Sequence, residues 1–270
     1  MTLVNGAQDA CIAPMDRGLA YGDGVFRTLA VAAGVPRVWP LHYAKLAADC
    51  AAIGIACPDE DLLRNEVLQV CESYVDCAIK VIVSRGQGDR GYRYTVRNAP
   101  TRVVLRTALP DYPEAYAETG VRVRLCTLRL AQQPALAGVK HLNRLENVLA
   151  RAEWSDESIA EGLLRDADGN VIGGTMTNAF VATRGILFTP KLERCGVAGV
   201  TRERVIRAAA KHGVPCEIID IAWADVLQAD ELVLVNSLAG AWPVCELDGQ
   251  LRSAGPFSRL IQTWLKQDDA

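Results

Sequence analysis

The stretch Leu109-Pro110-Asp111-Tyr112-Pro113-Glu114 limits what this 270-residue chain can become. Its two prolines remove backbone donors and stop a helix or a central strand from running through. No apolar period crosses it. It therefore reads as a linker over residues 109–117, between an N-terminal domain at 1–108 and a larger C-terminal domain at 118–270. On the N-terminal side, residues 25–31 and 35–39 read as short strands around the turn Ala33-Gly34, and residues 78–84 and 102–108 as two more. Residues 41–53 and 60–74 repeat apolar side chains at helical spacing. On the C-terminal side, alternation predicts a strand over 121–130. A helix is expected from Lys140 to about residue 155, and strands at 161–165 and 178–183 around a turn at 166–170. A strand at 185–189, a helix over 201–212 closed by Gly213, a buried strand at 231–237 and a final helix over 256–266 complete the pattern. Strands and helices fall in separate runs, which predicts an α+β fold of two domains.

Composition narrows the class. Half of the residues are hydrophobic and 23% are charged, as in globular enzymes. A net charge of −3 and a pI near 5.7 argue against nucleic acid or an anionic membrane as partner. The nine cysteines are scattered and form no CxxC, so neither a disulfide framework nor a zinc site is expected. With only three histidines, no metal centre is expected at all. Reduced thiols, no signal-peptide pattern at the start and no long apolar run predict a cytoplasmic enzyme.

Several segments could carry chemistry. Lys140 lies in Gly138-Val139-Lys140-His141-Leu142-Asn143-Arg144-Leu145-Glu146-Asn147. An amine held against apolar neighbours loses its proton more easily and attacks aldehydes, although a lysine taken alone is most often a solvated charge. Cys195-Gly196-Val197-Ala198-Gly199-Val200-Thr201-Arg202 puts glycines before a helix start, where unpaired N–H groups favour a phosphate; a plain loop capped by Thr201 is the competing reading. Asn236-Ser237-Leu238-Ala239-Gly240 ends a strand and is either a turn or part of such a cradle. Lys45 follows His42 on the first helix. Arg85, Arg90 and Arg93 crowd one loop, and with Arg27 and Arg106 they are candidates for binding carboxylates. Gly86-Gln87-Gly88-Asp89-Arg90-Gly91 has the form GxGxxG, but no helix is expected after it, so a dinucleotide site is rejected.

Taken together, these segments resemble a known family. Gly22-Asp23-Gly24-Val25-Phe26, His42-x-x-Lys45-Leu46, Lys140-x-x-Asn143-x-x-x-Asn147, Asn178-x-Phe180 and Gly199-Val200-Thr201-Arg202 are similar in order and spacing to the class IV (fold type IV) pyridoxal-phosphate enzymes. Ser84-Arg85-Gly86-x-Gly88-x-Arg90-Gly91-Tyr92 and residues 136–146 resemble the lyase branch of that family, whose substrate is 4-amino-4-deoxychorismate. The resemblance implies a two-domain fold type IV enzyme, typically a homodimer. It implies that Lys140 holds pyridoxal phosphate covalently and acts as the catalytic base. Lys45, Val200, Thr201, Ser237 and Leu238 would bind the cofactor phosphate. Asn143 and the five arginines would be available to the substrate, and 4-aminobenzoate and pyruvate would be released.

Two departures follow from the same resemblance. The family usually has arginine where this chain has Lys45, and glutamate, the partner of the pyridine nitrogen, where this chain has Gly173. Thr175, two residues on and on the same side of an extended strand, could offer its hydroxyl to that nitrogen instead. A weaker electron sink favours an aromatising elimination over amino transfer. A D- or branched-chain amino acid aminotransferase and a low-activity cofactor-binding relative remain as alternatives.

Overall fold

Alternating burial along Gly24–Ala32 explains how the first part of the chain folds: Val25, Arg27, Leu29 and Val31 are buried, and Phe26, Thr28 and Ala30 between them are half-buried. The computed structural model describes residues 1–8, 10–72, 74–94 and 99–268. The chain forms two compact units, one of Met1–Pro110 with Val139–Asn143, the other of Asp111–Gly138 with Arg144–Ala270.

The first unit contains β1 (Thr2–Val4), β2 (Ala7–Gln8), α1 (Arg17–Tyr21), β3 (Gly24–Ala32), β4 (Val35–Pro36), α2 (Trp39–Ala52), α3 (Glu60–Cys71), β5 (Cys77–Ser84) and β6 (Thr101–Thr107). Its six strands pair antiparallel in the order β2-β1-β6-β5-β3-β4. One sheet face carries Val25, Leu29, Ile79, Val81, Val83 and Val104 into a core with Leu46 and Cys50 of α2 and Leu63, Val67 and Val70 of α3. Each such side chain contributes about 1.5–3 kcal/mol through burial. The expected strand at 35–39 stops at Pro36, because Trp39-Pro40 opens α2, where proline suits the first turn. Asp59 caps α3 by accepting the N–H groups of Asp61 (3.0 Å) and Leu62 (3.2 Å). That helix ends at Cys71 rather than running to residue 74, and Ser73 lies outside the described residues. After β5 the chain is irregular through Tyr94, with residues 95–98 outside the described set.

The second unit contains α4 (Ala115–Glu118), β7 (Val121–Leu130), a 3₁₀ turn (Pro134–Leu136), α5 (Leu145–Arg151), β8 (Ile159–Asp166), β9 (Val171–Gly174), β10 (Asn178–Thr183), β11 (Ile186–Pro190), α6 (Val200–Lys211), β12 (Cys216–Ile219), α7 (Trp223–Gln228), β13 (Glu231–Asn236), β14 (Gly240–Leu247), β15 (Gln250–Leu251) and α8 (Pro256–Asp268). Eight strands follow the order β12-β11-β10-β13-β14-β7-β8-β9, with β15 added to β14. β14–β7, β7–β8 and β11–β12 are parallel. α6 and α8 cover one region of the sheet through Val205, Ile261 and Trp264 against Phe180 and Val233. A second core gathers Leu163, Val171, Val181, Leu232 and Trp242. Tyr112 and Tyr116 meet Trp242 edge-on at 4.7 and 5.3 Å between ring centres, so part of the expected linker is packed structure, and α4 begins inside it.

Two further expectations change here. No helix starts at Lys140: residues 139–143 are non-helical and group with the first unit, and α5 begins only at Leu145. The turn at 166–170 joins β8 to β9 rather than to β10. β9 itself, Val171-Ile172-Gly173-Gly174, is a strand despite its glycines, because Val171 and Ile172 are buried and its backbone pairs with β8.

In the first unit Asp23 ties elements together. Its Oδ2 accepts from Arg17 Nε and Arg85 Nε, both at 2.8 Å, and Arg85 also donates to the Ile53 and Gly54 carbonyls, both at 2.6 Å. Burial pushes the Asp23 carboxyl up, but hydrogen bonds and charge from Arg85 and Arg17 outweigh it and hold it below the usual 3.8. A depressed carboxylate stabilises the fold above its unfolded-state pKa and loses that contribution as pH falls through the folded value. Asp23→Asn leaves two buried guanidiniums without their counter-charge, and should cost about 3 kcal/mol in urea unfolding at pH 7. The gap between variant and wild type should narrow as the pH is taken below 3.8.

Candidate active site

In the first unit, the segment Val139–Asn143 is laid along β3. Phe26 N–H donates to Lys140 O (3.0 Å), Leu142 N–H donates to Gly24 O (2.9 Å), and Val25 bridges His141. Gly138, at φ +77°, allows the turn that brings the chain there. Val139 is buried in the core with Val25 and Leu46. The Lys140 N–H donates to Asp49 Oδ2 (3.3 Å), and Asp49 pairs with Arg27. Burial pushes the Asp49 carboxyl up, against the pull of Arg27 and the Lys140 N–H. Lys140 Nζ lies 4.6 Å from the centre of the Phe26 ring. The lysine backbone is thus held by hydrogen bonds to β3 and α2, and its amine lies against an aromatic ring.

The other candidates in this unit separate into two groups. Arg27 is 2% exposed, on the helix-covered face and paired with Asp49, so it is a core residue rather than a substrate contact. Arg85 is 6% exposed, bound to Asp23 and stacked on Tyr94 at 3.7 Å, and is likewise structural. Arg106 stacks on Tyr74 at 3.2 Å, beside Ile79. Asn143 Nδ2 donates to Gly22 O (3.2 Å), which ties the lysine segment to the end of α1. These four carry structural contacts, whereas Arg90 and Arg93 are exposed on the loop after β5. Lys45 is half-buried on α2, and its carbonyl accepts from Arg27 at 3.4 Å.

In the second unit, the start of α6 has the donor chemistry that could hold an anion. Its N-cap, Gly199, offers no side-chain acceptor to the first-turn N–H groups. A Cβ at Gly199 would overlap Asn178 Oδ1, and Asn178 Nδ2 donates to Val197 O (2.8 Å), so this approach is open only because residue 199 is glycine. Buried Arg202 donates to Thr189 Oγ1 (3.0 Å) and Pro190 O (2.9 Å) and holds the helix in place. Thr201 Oγ1 and Ser237 Oγ come within 3.4 Å of each other. The Leu238 N–H, expected to point at a phosphate, donates to Asn236 Oδ1 at 2.9 Å instead. Two hydroxyls and an uncapped helix start with a positive dipole end are a donor set that fits a phosphate monoester.

Gly173 and Thr175 lie beside a group that sequence reasoning missed. Glu161, 0% exposed on β8, accepts the N–H groups of Gly162 (2.9 Å), Thr175 (3.0 Å) and Met176 (3.1 Å) and the hydroxyls of Thr175 (2.5 Å) and Thr177 (3.0 Å). Burial pushes its carboxyl up despite these donors. The single Thr175 proton is committed to Glu161, so the expected donation from Thr175 to a ring nitrogen is not available. Gly173 has φ +156°, and a Cβ there would lie 2.8 Å from Thr177 O. Asp49 also went unread as a site residue. The signal for both was a carboxylate on an apolar stripe: Asp49 shares the buried face of α2 with Leu46 and Cys50, and Glu161 the buried side of β8 with Leu163.

A family model for class IV amino-transferases matches residues 24–247. The chain belongs to that family. It is 34% identical over 244 residues to an aminodeoxychorismate lyase of Vibrio harveyi, covering 90% of each chain. It is 27% identical over 258 residues to a D-alanine aminotransferase of Bacillus licheniformis, covering 93% of this chain and 89% of that one. The crystal structure of 4-amino-4-deoxychorismate lyase from Pseudomonas aeruginosa superposes with a TM-score of 0.95 at 45% identity over 99% of both chains. The fold is the two-domain α+β fold of type IV, and the cofactor of this class IV member is pyridoxal phosphate. Gly173→Ala should lower stability by about 1–3 kcal/mol in thermal or urea unfolding, because its backbone lies where a Cβ is strained.

Proposed function

We propose that this chain is a pyridoxal-phosphate-dependent lyase that converts 4-amino-4-deoxychorismate to 4-aminobenzoate and pyruvate, a step toward folate. The likeness to the Pseudomonas aeruginosa lyase over 99% of both chains carries the reading. Pyridoxal phosphate supplies an aldehyde that takes up an amine and a ring that withdraws electrons. The Lys140 amine would hold that aldehyde. The α6 N–H groups with the Thr201 and Ser237 hydroxyls would hold the phosphate, and Lys45 would add positive charge. Lys140 Nζ would take the proton from the carbon that bears the substrate amine. The enolpyruvyl C–O bond would break as the ring becomes aromatic, and Lys140 Nζ would return the proton to the departing enolpyruvate, giving pyruvate.

Gly173 fits this better than amino transfer. No carboxylate stands at that position, and Glu161 is saturated by five donors. An elimination driven by aromatisation needs less electron withdrawal than an aminotransferase does.

Incubation with 4-amino-4-deoxychorismate should release pyruvate and 4-aminobenzoate one for one. Lys140→Ala should lower the rate by about 10²–10⁴-fold. Borohydride reduction with pyridoxal phosphate should label Lys140 in tryptic mass spectra, and the variant should stay unlabelled. Steady amino transfer to 2-oxo acids without pyruvate release would favour an aminotransferase, and a labelled but inert protein would favour a cofactor-binding relative.

We further infer that a second copy covers α5. Leu145, Val148 and Leu149 are 68%, 60% and 53% exposed at helical spacing. Exposed Met176 adjoins them, as Asn147 Nδ2 donates to Thr175 O (2.8 Å). Wild type should sediment as a dimer and Val148→Asp as a monomer. The nine cysteines form no disulfide, and no helix among the described residues is long and apolar enough to cross a membrane. The free thiols are the observation that supports a cytoplasmic setting.

A further inference from the structure

Lys80 stands out among the cations of the first unit. Arg17 and Arg85 share Asp23, Arg27 pairs with Asp49, and Arg102 pairs with Glu66. Lys80 is half-buried, and among the described residues no carboxylate reaches it. It lies on β5 opposite Thr28, with Ile79 and Val81 beside it turned into the core, so its side chain leaves by the other face of the sheet. On that face its Nζ lies 4.5 Å from the centre of the Phe26 ring, the same ring that has Lys140 Nζ at 4.6 Å. Burial pulls the Lys80 amine below its usual 10.5. The Phe26 ring face alone does not repay the loss of water from the half-buried Lys80 ammonium. An anion brought to this face would relieve that cost.

We propose that Lys80 binds a carboxylate of the substrate beside the reacting amine of Lys140. This rests on the lyase reading, since it takes 4-amino-4-deoxychorismate as the substrate. That molecule carries two carboxylates, one on the ring and one on the enolpyruvyl group. Each survives in a different product, 4-aminobenzoate or pyruvate, so the products serve as separate probes.

The test compares wild type, Lys80→Met and Lys80→Arg as holoenzymes. Methionine keeps an apolar stem against Phe26 and removes only the charge. Losing one charge-assisted hydrogen bond should raise KM about 10- to 100-fold, with kcat changed far less, and arginine should restore most of the loss. Calorimetry should show one product binding more weakly to Lys80→Met by a similar factor. Loss for pyruvate assigns Lys80 to the enolpyruvyl carboxylate, and loss for 4-aminobenzoate to the ring carboxylate. In wild type this affinity should fall as pH rises through the lowered pKa of Lys80, and Lys80→Arg should abolish that dependence. A wild-type holoenzyme that binds neither product, or a Lys80→Met enzyme with unchanged KM and affinity for both, overturns the proposal. Absence of pyruvate release by wild type instead overturns the lyase reading, while the binding comparison still decides the role of Lys80.

Discussion

The placement of Lys140 depends on hydrogen bonds between residues far apart in sequence. The segment Val139–Asn143 acts as a short extra strand on β3, and the Asp49 carboxylate receives the lysine N–H from the side of α2. This differs from a lysine presented at the start of a helix. A helix start frays and leaves its first residues free to move, whereas here Phe26 and Gly24 fix the backbone on one side and Asp49 on the other. The amine can then be positioned by its own rotamers, because little of the main chain is left to vary. Arg27 completes the arrangement: without its charge, Asp49 would be a buried carboxylate with every reason to take up a proton and surrender the contact.

This explains why charge in the first unit divides so sharply between structure and chemistry. Guanidinium groups are costly to bury unless paired, and Arg17, Arg27, Arg85 and Arg102 are each paired with Asp or Glu. Counting arginines in a sequence therefore overstates the number available to an anionic ligand. The ones that hold the scaffold together are as basic as the ones that bind, and only the position of a carboxylate far away in sequence tells them apart. Asp23 and Arg85 are such a pair, joined across 62 residues of chain.

The legible parts were those with a local cause. α2, α3, α6 and α8 follow from apolar side chains at helical spacing, and β3, β5 and β7 from alternation. β9, β12 and α7 are short and lean on neighbours for their stability, so no local pattern announces them. β14 is long, but Gly240 and Pro243 interrupt its pattern. The glycine before α6 was readable as a helix start because a close backbone approach demands that residue type there. Asp49 and Glu161 were not, since their partners are set by tertiary packing: Lys140 is 91 residues from Asp49, and Thr175 is 14 from Glu161.

Glu161 also bears on what Gly173 can change. The turn after β9 is held by a carboxylate on β8 that takes five donors, and the backbone of Gly173 and Gly174 pairs with Leu164 and Leu163. None of these contacts uses a side chain at position 173. The scaffold around the position is therefore independent of which residue stands there, apart from the strain that any Cβ would bring. The proposed hold on a phosphate at α6 and on an amine at Lys140 would likewise be independent of it, since both would rest on other contacts. What a missing acid removes is electron demand at the ring, and a reaction is sensitive to that in proportion to how long its negative charge must be stored. Aromatisation shortens that time by expelling the charge with the leaving group, so the chemistry least affected by a glycine here is elimination from a ring about to become aromatic.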